Sequence, residues 1–217
     1  MSIFGFAKSR MVAPDDALPG RATPVLPHPA PHAVLGTSLT GPWPEGTEVL
    51  YLAMGCFWGA EEIYWRLPGV VSTSAGYMGG YTPNPTYEEV CTGRTGQTEA
   101  VMVAYDPEVI SRYDILKAFW ENHDPTQGYR QGNDTGTQYR SALYYTTDEQ
   151  REMIERTRAA YAEAIAARGY PDITTEIAPA SEKEYFLAED YHQQYLYKNP
   201  LGYRCHANTG LPLPALT

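Results

Sequence analysis

Long apolar runs are missing from this chain of 217 residues. No stretch approaches the roughly 20 apolar residues that cross a bilayer, so no membrane association is expected. Basic clusters are missing too. No Lys/Arg run is longer than a pair, and the formal net charge is −10. Phosphate backbones are held by basic stripes, so no nucleic acid partner is expected. Cysteine is scarce, with Cys56, Cys91 and Cys205 only. They show no C-x-x-C spacing, which removes the common zinc patterns, and they fit no disulfide framework. The opening Met1-Ser2-Ile3-Phe4-Gly5-Phe6-Ala7 is cut short by Lys8 and lacks the basic-then-apolar build of a secretory signal. A cytoplasmic location is the expectation. In that reducing setting a few cysteines are either buried small hydrophobes or reactive thiols. Phenylalanine is also sparse, 5 residues against 18 Tyr. Tyr joins an apolar ring to a hydroxyl. Most are ordinary packing residues, but the surplus hints at pockets lined with hydroxyl donors.

What is present suits a globular protein. Hydrophobic residues make up 43%, and the length allows one domain with a substantial core. Residues 1–46 read as an extended Pro-rich arm. Pro14, Pro19, Pro24, Pro27, Pro29, Pro31, Pro42 and Pro44 prevent long helices and central strands there. Met11-Val12-Ala13 and Ala33-Val34-Leu35 are the segments expected to dock on the domain.

Residues 47–200 read as the catalytic domain, and regular structure is expected from Glu48. Val49 to Met54 reads as a strand buried on both faces. A helix is expected over Phe57 to Arg66, ended by Pro68-Gly69, and a second strand over Val70 to Tyr77. Thr86 is placed to cap a short helix through Cys91. Further elements are a strand over Glu99 to Tyr105, a helix near Tyr113 to Asn122 and a strand over Tyr139 to Tyr145. The clearest helix runs from Asp148 to about Ala167. Thr147 is its cap, and Met153, Ile154, Tyr161 and Ile165 form its buried stripe. A short strand is expected over Ile173 to Ile177. Residues 201–217 read as a flexible tail carrying Cys205. Strands alternating with helices imply an α+β fold, an α/β sandwich with a mixed β-sheet and flanking helices.

Cys56 falls where a buried strand becomes a helix. The first backbone N–H groups of a helix lack partners and favour an anion. A thiolate there can have a pKa well below about 8.5. By position alone, a buried cysteine at a strand end is the favoured reading. Gly55 and Gly59 are expected to let other groups approach. Phe57 and Trp58 follow directly and can wall a small methyl or thioether group.

At this point the sequence resembles a known family. Gly55-Cys56-Phe57-Trp58-Gly59-Ala60-Glu61 is similar to the signature of the peptide methionine sulfoxide reductase A family. The segment from Gly76 to Tyr87, the segment from Thr95 to Val101, Phe119 to Pro125, Gly132 to Ser141 and Ala188 to Leu196 resemble further family segments. They run in family order over about residues 48 to 205. The resemblance implies a ferredoxin-like βαβ core. It also implies reduction of methionine S-sulfoxide, free or in proteins, and so repair of oxidised proteins.

That chemistry needs a soft nucleophile, an acid, donors for the sulfoxide oxygen and an apolar pocket for the methyl. By resemblance, Cys56 is the nucleophile and becomes a sulfenic acid. Glu99 is the acid, and must be buried to hold a proton near neutral pH; otherwise it is a solvated strand end. Tyr87 and Tyr139 bond the oxygen. Phe57 and Trp58 form the methyl pocket. Asp134 organises the site, or else is simply a turn residue. Cys205, in Gly202-Tyr203-Arg204-Cys205-His206, resembles the resolving cysteine. Many members read Gly-Tyr-Cys-Gly with another cysteine further on; here Arg204 intervenes and no cysteine follows Cys205. Cys91 is expected to be packed. The resemblance implies no bound cofactor, and thioredoxin or a low-molecular-weight thiol as reductant. Methionine sulfoxide-containing proteins and peptides and free methionine sulfoxide are the expected substrates, and a monomer is expected. His123 and His192 also invite a Cys-His hydrolase reading, but structural hydrogen bonding is favoured for both. A thiol peroxidase is the alternative enzyme; it leaves the aromatic pair, Glu99 and the two Tyr unexplained. A non-enzymatic redox sensor needs only the thiols.

Overall fold

The computed structural model describes residues 9–205 and 207–216. Its centre is a six-stranded sheet in the order β7-β6-β1-β3-β2-β8. The strands are β1 (Glu48–Met54), β2 (Val70–Met78), β3 (Thr98–Tyr105), β6 (Ser141–Tyr145), β7 (Glu176–Pro179) and β8 (Phe186–Leu187). A separate hairpin pairs β4 (Arg130–Gln131) with β5 (Asp134–Thr135). The helices are α1 (Phe57–Trp65), α2 (Tyr87–Cys91), α3 (Arg112–Glu121), α4 (Asp148–Ala166) and α5 (Tyr195–Lys198).

β3 runs antiparallel to both β1 and β2, with Leu50 opposite Val103 and Tyr77 opposite Glu99. β1 and β2 are therefore parallel to each other, joined by α1, with β3 threaded between them. β6 pairs antiparallel on the other side of β1, and α3 lies between β3 and β6 in the chain. This is the ferredoxin-like split βαβ pattern. β7 adds to β6 in parallel, making the sheet mixed.

Side-chain alternation decides which face carries the core. Leu50, Leu52 and Met54 of β1, with Val101 and Val103 of β3, pack against Phe57 and Tyr64 of α1, Ile115, Phe119 and Trp120 of α3, and Ile154, Tyr161 and Ile165 of α4. The other face carries a smaller cluster built on Ala53, Met78, Ala100, Ala142 and Tyr144. In α4, Met153 is only half-buried, while Gln150 and Thr157 complete the buried stripe. Thr157 belongs inside because its hydroxyl accepts from the Trp120 indole N–H at 3.0 Å.

Helix starts follow local chemistry. Thr147 caps α4 by accepting from Gln150 N–H. Thr86 and Glu89 form a reciprocal capping box on α2. Two strands differ from expectation. Tyr139 lies in a 3-10 turn (Thr137–Tyr139), and β6 starts only at Ser141. The Thr98 hydroxyl contacts the carbonyls of both Gln138 and Arg140, which stitches this turn to the start of β3. β7 begins at Glu176 rather than Ile173; Ile173 is buried in the core instead.

Among its described residues, the arm has one short 3-10 turn (Pro14–Asp16) and otherwise runs as coil. Of the expected apolar triplets, Leu35 packs partly buried against the core. Ala33 and Val34 are exposed, whereas His32 and Leu39 are buried. Arg21 grips Glu89 with two bonds of 2.9 and 3.0 Å. Residues 209–214 return to the domain. Leu213 is buried, its N–H donates to Glu121 Oε1 at 2.8 Å, and the Thr209 and Tyr161 hydroxyls are bonded.

The turn after β1 sets the position of everything that follows. Gly55 has φ +90°, and a Cβ there would lie 2.7 Å from Gln131 Cβ. Both strain and collision oppose any side chain. Gly55→Ala is expected to lower the unfolding free energy by about 2 kcal/mol. Urea denaturation checks this; an unchanged midpoint contradicts the account.

Candidate active site

Cys56 is the residue that caps α1, with φ −54° and ψ 121°. The tight turn at Gly55 swings its side chain off the sheet and in front of the helix. The Trp58 backbone N–H bonds the sulfur, as the open start of a helix should allow. The thiol pKa nevertheless moves up, not down as expected. Burial is the largest cause, and the nearby Glu99 carboxylate is the next; the Trp58 N–H only partly offsets them. Gly59 does not serve close approach, because nothing lies within 4 Å of where its Cβ would be.

Glu99 stands on β3 and is 2% exposed. Its Oε2 accepts from the Phe57 backbone N–H at 3.0 Å, so the carboxyl sits beside Cys56 at the helix start. Burial pushes its pKa up to about 8 against that one bond, and Asp134 adds to the shift. Near neutral pH Glu99 holds a proton, as the sequence required of an acid.

The remaining predicted groups converge on the same place. Cys56, Phe57, Trp58, Tyr87, Glu99, Asp134 and Tyr139 line one cavity of about 220 Å³, with Tyr203. Tyr87 is the first residue of α2, and its backbone N–H donates to Glu189 Oε1 at 2.8 Å. Tyr139 reaches the cavity because it belongs to the 3-10 turn and not to the sheet. Burial and Glu99 keep both phenols well above their usual pKa, so they are neutral donors. Asp134 lies on β5 of the hairpin; its Oδ2 accepts from the Tyr203 hydroxyl at 3.1 Å, and burial raises its pKa.

The aromatic wall is fixed from behind. Trp58 stacks on Tyr195 with ring centroids 3.8 Å apart, and its indole N–H donates to His192 Nδ1 at 2.9 Å. The His192 ring also packs on Phe57 and Tyr87, at 4.9 and 4.6 Å. Burial lowers its pKa to about 4, so it is neutral and can accept. His123 is structural in the same sense. Its Nδ1 faces the Phe119 carbonyl at 2.7 Å and its Nε2 faces the Ser141 hydroxyl at 2.8 Å. Among the described residues, no group of three His, Cys, Asp or Glu could hold a metal ion, and no helix is long and apolar enough to cross a membrane.

Cys205 lies outside the first cavity. It lines a second, of about 190 Å³, together with Cys56, Glu62, Ile63, Asn122 and Arg204. Cys56 is the residue shared by the two spaces. The Cys205 thiol donates weakly to the Gln131 carbonyl at 3.6 Å. Cys91, expected to be packed, is half-buried one turn beyond Tyr87, and its thiol bonds the Tyr87 hydroxyl.

Three supporting residues were not read from the sequence. Tyr203 completes the first cavity from the tail. Glu189 holds Tyr77 through its hydroxyl at 2.9 Å as well as Tyr87 through its N–H. Glu61 is fully buried and accepts from the Thr73 hydroxyl and from both the backbone and side-chain N–H of Gln194. A charged residue within an otherwise apolar helix face was the available signal for Glu61. Tyr203 and Glu189 carried none beyond lying in turn-rich segments.

The family model for peptide methionine sulfoxide reductase matches residues 48–213. The peptide methionine sulfoxide reductase of Salinispora tropica is 60% identical over 211 residues, covering 95% of this chain and 94% of the relative. That of Corynebacterium efficiens is 54% identical over 212 residues, 98% of each chain. Methionine sulfoxide reductase A of Corynebacterium diphtheriae superposes with a TM-score of 0.82 at 53% identity, covering 95% of this chain and all of that one. Mxr1 of Saccharomyces cerevisiae in its reduced form gives 0.65 at 35% identity, covering 76% and 92%. With its cysteine at the helix start, its mixed sheet and these relatives, the chain belongs to the peptide methionine sulfoxide reductase family and is an oxidoreductase that reduces methionine sulfoxide.

Proposed function

We propose that Cys56 reduces methionine S-sulfoxide by attacking its sulfur while Glu99 delivers a proton to its oxygen. The observation that carries this is the shared cavity: a thiol at a helix start faces a buried, protonated carboxyl, two neutral phenols and an aromatic wall. A sulfoxide is a dipole, positive at sulfur and negative at oxygen. With oxygen toward Glu99, Tyr87 and Tyr139, sulfur meets Cys56, and the methyl rests on Phe57 and Trp58. The positive sulfur favours the thiolate, and the oxygen's negative charge keeps the proton on Glu99. Both effects strengthen as the S–O bond breaks, which is where stabilisation counts. Asp134 organises the site through Tyr203 and the hairpin.

The step balances as one thiol and one sulfoxide giving methionine and Cys56 sulfenic acid. Cys205 then condenses with the sulfenic acid, forming the disulfide and water. Thioredoxin reduces that disulfide, exchanging its own dithiol for the Cys56–Cys205 pair. A low-molecular-weight thiol acting directly on the sulfenic acid is the competing route. Oxidised proteins and peptides are the substrates, with free methionine sulfoxide, in a cytoplasmic protein-repair role.

Three outcomes test this reading. Incubation with a methionine sulfoxide peptide and dithiothreitol yields methionine, and Cys56→Ser reduces the yield to background; wild-type activity in that variant overturns the nucleophile. Glu99→Gln lowers kcat by about 10²–10³-fold, yet it lowers the pH midpoint for alkylation of Cys56 because the opposing charge is gone. An unchanged midpoint contradicts the electrostatic coupling. Cys205→Ser retains one equivalent of methionine per protein but loses turnover with thioredoxin; unchanged steady-state turnover sinks the resolving role and leaves direct attack by small thiols.

A further inference from the structure

Arg204, the residue inserted just before Cys205, ends on a carboxylate of the catalytic helix. Its Nε donates to Glu62 Oε2 at 2.6 Å and its Nη2 to Glu62 Oε1 at 2.9 Å. Its Nη1 turns back to the Pro200 carbonyl at 2.9 Å and the Gly202 carbonyl at 3.3 Å. One planar guanidinium therefore ties its own loop together and fastens that loop to α1. Glu62 is set up for the task. It is 8% exposed, and the Arg204 bond holds its carboxyl below the usual range. Glu62 and Arg204 line the same cavity as Cys56 and Cys205.

We propose that Glu62 is a positioning residue for the second half of the cycle: through its paired bonds to Arg204 it holds the Cys205 loop over the cavity that opens on Cys56. The proposal rests on the reading of Cys205 as the resolving thiol. The pair is not needed to satisfy the helix, because Arg66 already bonds Glu62 at 2.8 Å one turn on. What Arg204 adds is a link between segments 142 residues apart. Fixing residue 204 fixes the next backbone position within one peptide unit. Beyond it, Thr209 is held by Tyr161. Cys205 thus sits in a short span between two anchors. The thiol itself meets the Gln131 carbonyl at 3.6 Å and the Tyr203 hydroxyl, weak sulfur contacts that let it turn toward Cys56 while the loop stays in place.

The consequence is kinetic. In the step, the thiol proton leaves with the sulfenic hydroxyl as water, and the two sulfurs join; no outside oxidant is used. Its rate depends on how often Cys205 meets the sulfenic sulfur, which is an effective concentration set by the span and its anchors. Freeing one anchor lengthens the mobile segment and lowers that concentration. The attack on the sulfoxide occurs in the other cavity and does not use the pair.

The test uses full-length wild type, Glu62→Gln, Arg204→Gln and the reversed pair Glu62→Arg with Arg204→Glu. Each reduced protein receives methionine sulfoxide peptide without reductant. Methionine and the Cys56–Cys205 disulfide are then followed separately by quenched mass analysis. The expected result is an equal methionine burst in all four, with disulfide formation slowed about fivefold in each single variant. The reversed pair regains most of the rate, and high salt slows the wild type more than Glu62→Gln. Arg204 is surface-facing, so Arg204→Gln keeps the test decisive if Glu62→Gln fails to fold. A normal disulfide rate in the folded single variants overturns the role of Glu62. A wild type that makes methionine but no Cys56–Cys205 disulfide instead overturns the reading of Cys205, and this role with it.

Discussion

Glu99 is held almost completely out of water with a single backbone N–H on its carboxyl, that of Phe57. A carboxylate so placed is costly to ionise, and a thiolate beside it more costly still. A charge on Glu99 opposes a charge on Cys56. The reaction needs that charge on sulfur and the proton on oxygen. The geometry leaves the choice to the substrate, whose own dipole points the right way. Much of the surrounding structure serves to keep this small space closed and its acid protonated.

The fold supplies the constraint through register. β3 lies at the middle of the split βαβ unit, and its start brings Glu99 opposite Tyr77. β1, its neighbour, ends at the Gly55 turn and delivers Cys56 to the head of α1. Glu99 and Cys56 are thus fixed by adjacent central strands and not by loops. The other polar groups of the cavity come from more peripheral pieces. Tyr87 rides a capped single-turn helix, Tyr139 a 3-10 turn and Asp134 a two-residue hairpin. Each is pinned by a specific bond: Glu189 to Tyr87 N–H, Thr98 to the turn at 137–140, Tyr203 to Asp134. Two cavities meet at Cys56, one lined by Glu99, Tyr87 and Tyr139 and the other by Cys205 and Arg204.

The split between what was legible and what was not follows the range of each interaction. A continuous apolar run, capping residues and a buried stripe placed β1, α2 and α4 within a residue or so, because these signals are local. Tyr139 was read into a strand because it lies two residues before β6. Local turn bonds from Tyr139 N–H to Gly136 and from Arg140 to Thr137, with the long-range stitch from Thr98, take it out. The thiol of Cys56 was expected to be acidic from its helix position. Burial and the facing carboxyl, which come from β3 in three dimensions, reverse that shift. The arm was legible in part: Pro content gave its coil and Leu35 packs on the core, but His32 docks through the distant Thr73 hydroxyl, which no local pattern reveals. Tyr203 and Glu189 matter because of whom they touch, and that is set by the fold. The family resemblance named the seven groups of the first cavity; their gathering into one space required the coordinates.

The central claim is that Glu99 is a neutral acid at working pH. Infrared difference spectroscopy of wild type against Glu99→Gln reads it directly, through the C=O stretch of a protonated carboxyl followed across a pH titration. The account predicts a band that persists through neutral pH and disappears with a midpoint of about 8. A band lost in the ordinary carboxylate range, near the reference value of about 4.3, would contradict it.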